Sequence, residues 1–189
     1  SLRSPLSFKY DSPHLPTRLG ACFFQPSHRA TTLHRSGAKG VPFFFLRIDK
    51  AGNVTKRFNS TDFHLAEYGG ACPRLEVHTS FGTPGRIVSQ FVEMPDTSQF
   101  FVFARTVDRP SFTRHAQDNR LAVAMGCGLE HVGSIGYAED LSLSDAHITK
   151  VGINCRVCPR MTCDQRAHQA VVLSEPVDES TRGATRYAS

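Results

Sequence analysis

The sequence predicts an α+β domain organised around a twisted antiparallel sheet, and two hairpin patterns with one further apolar strand are what predict it. "VPFFFLRID" is an apolar strand, "DKAGN" is a turn in which Gly52 and Asn53 supply positive φ, and "VTKRF" returns as a second strand. "GRIVSQFVE", the turn "MPDTS" and "QFFVFARTV" repeat the pattern. "RLAVAMGC" adds a buried strand that ends at a Gly126-Cys127 turn. Between the hairpins, "STDFHLAEYGGACP" offers Ser60 or Thr61 as an N-cap, a brief helical turn and a break at Gly69-Gly70. Ahead of them, the polar "QPSHRATTLHR" predicts a short helix after Pro26, ended by Ser36 and Gly37.

Side chains alternate along a strand, so Phe43, Phe44 and Phe45 must point to both sides of the sheet. Either both faces are covered or one lines a cavity. Aromatics mostly fill cores. Cations nevertheless interleave with these aromatics at Arg47, Lys56, Arg57, Arg86 and Arg105, and a buried Arg needs an anionic partner.

The chain has 189 residues, 40% of them hydrophobic and 10% aromatic, which suits a folded chain with one substantial core or two small ones. No apolar run approaches the ~20 residues needed to cross a bilayer, and the first residues show no signal-like segment. A soluble, cytoplasmic chain without a membrane partner is expected. The net charge of +5 favours an anionic partner, but the basic residues are spread along the chain. That distribution fits a phosphate-bearing small ligand at least as well as DNA.

The most specific motif is "INCRVCPRMTCDQRAHQ", in which Cys155-x2-Cys158-x4-Cys163 brings three thiols onto one short loop. Pairing Cys155 with Cys158 in a disulfide would be strained, so a metal explains the crowding better. Three ligands are too few for a structural zinc site or a cubane iron–sulfur cluster, so a fourth must come from elsewhere. Cys127, between Gly126 and Gly128, is the first candidate because the backbone can approach a bulky cluster closely there. Cys72 in "GGACP" is the second. On spacing alone zinc, an iron–sulfur cluster and redox thiols all stay open. Arg156, Arg160 and Arg166 flank the cysteines and could offset the charge of a thiolate-ligated cluster. No nucleophile–base pair stands out.

"TTLHRSGAKGVPFFFLRIDKAGNVTKRF", "FHLAEYGGACP", "FGTPGRIVSQFVEMPD", "FFVFARTV", "LAVAMGC" and "GINCRVCPRMTCDQRA" together resemble the C-terminal domain of the short-chain fatty acyl-coenzyme A regulators. The resemblance runs from about Thr31 to Ala167, with the motifs in the family's order. It implies a sensor domain of a transcription factor that reads acyl-CoA, while an N-terminal helix-turn-helix, absent here, binds operator DNA. It also implies a 4Fe-4S cluster on four cysteines, which maps onto Cys155, Cys158, Cys163 and most naturally Cys127, and so shifts the choice from zinc to iron–sulfur.

The expected organisation follows. Residues 1–35 are an irregular or helical tail of a preceding domain, and 36–146 form the sensing α+β domain, resembling a GAF or PAS sensor. Residues 147–170 hold the cluster and 171–189 are a flexible tail. The expected ligand is coenzyme A or a short-chain acyl-CoA of the propionyl-CoA kind, in keeping with a role in propionate metabolism. Its acyl chain would sit in an apolar cavity lined by Phe45, Phe63 and Phe103, and its phosphates would pair with Arg47, Arg57, Arg86 and Arg105. The task is recognition and not turnover, within a full-length protein that forms a homo-oligomer. The rivals are a structural zinc module for protein or nucleic-acid contacts and, less favoured, a CoA-dependent acyltransferase.

Overall fold

The computed structural model describes residues 34–35, 38–67, 69–108, 120–138 and 147–172. The helix expected after Pro26 falls outside these residues except for its end, which is a strand: β1 (His34–Arg35) pairs antiparallel with β2 (Ala38–Lys39). Nearly all of the expected N-terminal and C-terminal tails also lie outside.

A six-stranded sheet carries the rest. The first expected hairpin is β3 (Phe44–Ile48) with β4 (Val54–Asn59), and the second is β5 (Val88–Glu93) with β6 (Gln99–Val107). The further strand is β7 (Leu121–Gly128), which inserts between the hairpins and pairs with both β3 and β6. A short β8 (Ile148–Lys150) completes the order β4-β3-β7-β6-β5-β8. It runs parallel to β5, so the sheet is mixed, with one parallel pair in the mostly antiparallel sheet that is expected. A parallel strand needs a crossover connection, and the long stretch of chain between β7 and β8 supplies one.

Among the described residues the only helices are short 3-10 turns, at Thr79–Phe81, Leu129–Ser134, Gly136–Ala138 and Cys155–Val157. The helical turn expected after Ser60 does not form. Asn59 Oδ1 accepts the Thr61 amide at 3.0 Å and Thr61 Oγ1 accepts that of Phe63 at 3.1 Å, so side chains satisfy this backbone in an irregular path. In the first hairpin turn Gly52 takes positive φ (81°), whereas Asn53 does not and instead bridges to Gly70. Asp49 shapes the turn, its Oδ1 accepting the amides of Ala51 and Asn53, both at 2.9 Å.

Strand alternation divides the three consecutive phenylalanines as expected. Phe44 belongs to a core with Leu46, Ile48, Phe63, Val92, Phe100, Val102, Ala124 and Cys72. Phe43 and Phe45 belong to a second core on the opposite face with Phe91, Phe101, Phe103, Met125 and Cys127. Phe44 stacks on Phe63 with ring centroids 4.0 Å apart. Gly126 makes room for it, since a Cβ there would meet the Phe44 ring at 2.5 Å. Among the described residues no helix is long and apolar enough to cross a membrane.

Candidate metal centre and ligand face

The loop after β8 is shaped locally before it meets anything else. Asn154 Oδ1 accepts the amides of Arg156 and Val157 at 3.0 and 3.2 Å, which starts the 3-10 turn that carries Cys155. The Arg160 guanidinium ties the loop to the sheet. Its Nε donates to Val151 O at 2.9 Å and its Nη2 to Glu93 O at 2.8 Å, with the Glu93 carboxylate 3.8 Å away. Arg166, only 5% exposed, donates to the carbonyls of Cys155 and Arg160 and so closes the loop on itself.

The loop faces Cys72 across a small cleft that opens to solvent, lined by Cys72, Cys155, Cys158 and Cys163 with Arg74, Lys150, Arg160 and Arg166 around them. The Gly152 amide donates to Cys72 Sγ at 3.4 Å, and that of Ala167 to Cys155 Sγ at 3.4 Å. A Cβ on Gly152 would stand 2.5 Å from Cys158 Sγ, so the cavity wall requires glycine there. Burial pushes the Cys72 thiol above its ordinary value. The amides of Gly152 and Arg74 pull it part of the way back, and Cys155 and Cys158 raise it again. Among the described residues, no three Cys, His, Asp or Glu side chains stand in position to hold a single metal ion. The four sulfurs line the cavity wall instead. As a donor set, four thiols with amide donors and a ring of cations suit a thiolate-ligated group of high negative charge.

Cys127 does not join them. It is fully buried beside Phe101 on β6, in the core on the other side of the sheet. Burial, with Glu130 adding to it, pushes its thiol up to about 12. The physical reason is the pleat: Gly126 faces Phe44 and the cysteine loop, so the next residue must face away. The fourth cysteine that the structure brings to the loop is Cys72.

The expected ligand-binding residues divide between the faces. Phe45 and Phe103 lie in the second core, and Arg47 and Arg105 both register against Val123 of that core, which sets them on the same face. Lys56, paired with Arg47, extends this row of cations. Phe63 is in the opposite core. Arg57 is engaged there with Ala66 O at 2.8 Å and Glu67 at 3.3 Å. Arg86 is exposed on the turn before β5. The structure therefore brings together Phe45, Arg47, Phe103 and Arg105, but not Phe63, Arg57 or Arg86. Lys56 is one of the interleaved cations but stands outside the expected set; its cross-strand pairing with Arg47 is the signal that places it there.

The sheet thus carries a cysteine-lined cavity on one side and an aromatic core bordered by cations on the other. Residues 32–187 match the family described as "Short-chain fatty acyl coenzyme A regulator, C-terminal", and the chain belongs to that family. It is 39% identical over 186 residues to a propionyl-CoA carboxylase regulator of Cereibacter sphaeroides, covering 98% of this chain and 40% of that protein. It is 37% identical to the HTH-type transcriptional regulator RamB of Mycobacterium tuberculosis, covering 96% of this chain and 39% of that one. A solved Mycobacterium tuberculosis transcriptional regulator superposes with a TM-score of 0.86 at 36% identity, over 96% of this chain and 56% of that chain. The chain thus spans about two fifths of the length of these curated relatives.

Proposed function

We propose that this chain is the ligand-sensing domain of a transcription regulator, carrying an iron–sulfur cluster on Cys72, Cys155, Cys158 and Cys163 and binding a short-chain acyl-CoA. The observation that carries the cluster is that four cysteines from two distant segments line one cavity beside the buried Arg166. Four thiols spread around a cavity suit a multi-atom cubane core better than one zinc ion, whose ligands all stand about 2.0–2.3 Å from a single point. When bound, such a group supplies a one-electron redox couple and a covalent brace between the loop and the Cys72 segment. The chain's own residues exclude water from Cys72 and Cys158, offset the thiolate charge with Arg74, Lys150, Arg160 and Arg166, and hold the loop closed through Arg166.

The acyl-CoA reading is supported by the family, by the name of the propionyl-CoA carboxylase regulator, and by the face that combines Phe45 and Phe103 with Arg47 and Arg105. The sheet, with a core on each face, supports the reading of a GAF- or PAS-like sensor. The names of the helix-turn-helix relatives support operator binding through a part of the full-length protein outside this chain. Recognition is the task, and ligand binding shifts the population of the DNA-binding-competent arrangement.

The deciding experiment is iron, sulfide and zinc analysis with a visible spectrum on anaerobically purified protein, beside Cys72→Ser and Cys127→Ser variants. About four irons and four sulfides per chain, lost in Cys72→Ser and kept in Cys127→Ser, is the expected result. One zinc in a colourless protein would replace the cluster with a structural metal.

A further inference from the structure

Three of the four cysteines share one loop, whereas Cys72 arrives on an irregular segment that is itself neither strand nor helix. Polar side chains hold that segment. His78 Nε2 lies 3.1 Å from Cys72 O, and because a carbonyl only accepts, that nitrogen carries the proton and donates. Gln90, on β5 and only 8% exposed, uses both ends of its amide on the same segment. Its Oε1 accepts the Glu76 amide at 3.1 Å and its Nε2 donates to Arg74 O at 2.9 Å. On the other side of Cys72, the Ala71 amide donates to Gly52 O at 3.2 Å, and the His78 ring lies so close to Gly52 that a Cβ there would be 3.1 Å from Cε1.

We propose that His78 and Gln90 are positioning residues for Cys72, fastening its own carbonyl and the backbone that follows it so that the fourth thiol stands at the cavity before any metal group binds. This rests on the reading of the four cysteines as one site. A buried amide whose oxygen and nitrogen both bond to one short segment fixes that segment's path. Removing either partner leaves backbone groups unpaired and the segment free to withdraw from the cavity. Because His78 also touches the Gly52 turn, the position of Cys72 is set jointly by the β3–β4 hairpin and by β5.

The test compares wild type, His78→Ala, His78→Gln and Gln90→Leu. In the metal-free chain, alkylation of Cys72 is followed by mass spectrometry with Cys158, equally buried, as internal reference. The iron-reconstituted chain is followed by its rate of iron loss to a chelator, and thermal midpoints are recorded for all. Cys72 alkylation is expected to rise about tenfold relative to Cys158 in His78→Ala and Gln90→Leu, the factor one lost hydrogen bond is worth in a local opening equilibrium. Iron loss should speed up in parallel, and His78→Gln, whose amide can still donate, should recover most of both effects. Unchanged Cys72 reactivity in both variants would overturn the proposal, as would an equal rise at every thiol with a lowered midpoint. A wild type that binds neither iron nor zinc would defeat the cluster reading alone, because the alkylation comparison in the metal-free chain still decides the positioning role.

Discussion

The amide of Gly152 donates to Sγ of Cys72 at 3.4 Å, a contact between residues eighty positions apart that joins the loop after β8 to the segment before β5. The same glycine admits Cys158 on its other side, where a Cβ would stand 2.5 Å from the sulfur and 3.2 Å from Cys158 Cβ. Both contacts are backbone or short side chain, with no flexible end to give way.

Gly152→Ala should therefore lower stability by about 1–3 kcal/mol, the usual cost of overpacking. It should also lower metal content, because the displaced sulfur is a cavity-lining one. Denaturant unfolding with metal analysis on the same samples checks both. Wild-type metal content with a large stability loss would dissociate Gly152 from the site.

Cys127 gives a pH-dependent prediction. Its folded thiol is pushed up to about 12 by burial, with Glu130 adding to it, against about 8.5 when unfolded. Between these values the folded state keeps a proton that the unfolded chain loses, so stability falls as pH rises from about 9 towards 12. Cys127→Ala should flatten that alkaline decline, measured as the slope of unfolding free energy against pH. In the folded, metal-free wild type, Cys127 should stay unalkylated at pH 9 while Cys163 reacts.

The hairpins were legible because turn chemistry and apolar runs are local. Asp49, Gly52 and the alternation of Phe43, Phe44 and Phe45 all act within a few residues. The choice between Cys127 and Cys72 was not legible. Glycines flank Cys127, but Gly126 is small to admit Phe44, and the pleat then turns Cys127 to the other face. Which face the cysteine loop covers depends on β8 adding parallel to β5 after a long crossover, and no local pattern encodes that. The ligand residues divided for the same reason. Arg47 and Arg57 look alike in sequence, and only the β3–β4 register sends one to the Val123 face and the other towards Ala66 and Glu67.

Arg166 is buried and its guanidinium spans two carbonyls of the cysteine loop. Arg166→Met should remove both ties and the buried charge, at a cost of about 1–3 kcal/mol and with faster loss of bound metal. Arg166→Lys should not rescue, since an ammonium lacks the planar fork that reaches both oxygens. Chelator-challenge rates on the three proteins provide the check, and a Lys variant that behaves as wild type would show that charge alone suffices.

The two faces of the sheet make opposite predictions for coenzyme A. Arg47 and Arg105 register on either side of Val123, with Phe45 and Phe103 one pleat along and buried in the core, so the phosphates would meet these cations at the border of the core that the acyl chain has to enter. Arg57 is on the other side, bonded to Ala66 O and Glu67, whereas Arg47, whose Nε donates to Thr55 Oγ1 at 2.8 Å, is on the Val123 face. Arg47→Ala and Arg105→Ala should each weaken propionyl-CoA binding about tenfold or more, since a charge-assisted hydrogen bond is worth roughly 1.5–3 kcal/mol. Arg57→Ala should change it less than about twofold. Titration calorimetry of propionyl-CoA, with free coenzyme A alongside, separates the phosphate contribution from that of the acyl chain. If Arg57→Ala were the damaging substitution, the ligand would lie on the Phe63 face, the same side as the cysteines, and cluster and acyl-CoA would compete for one half of the domain.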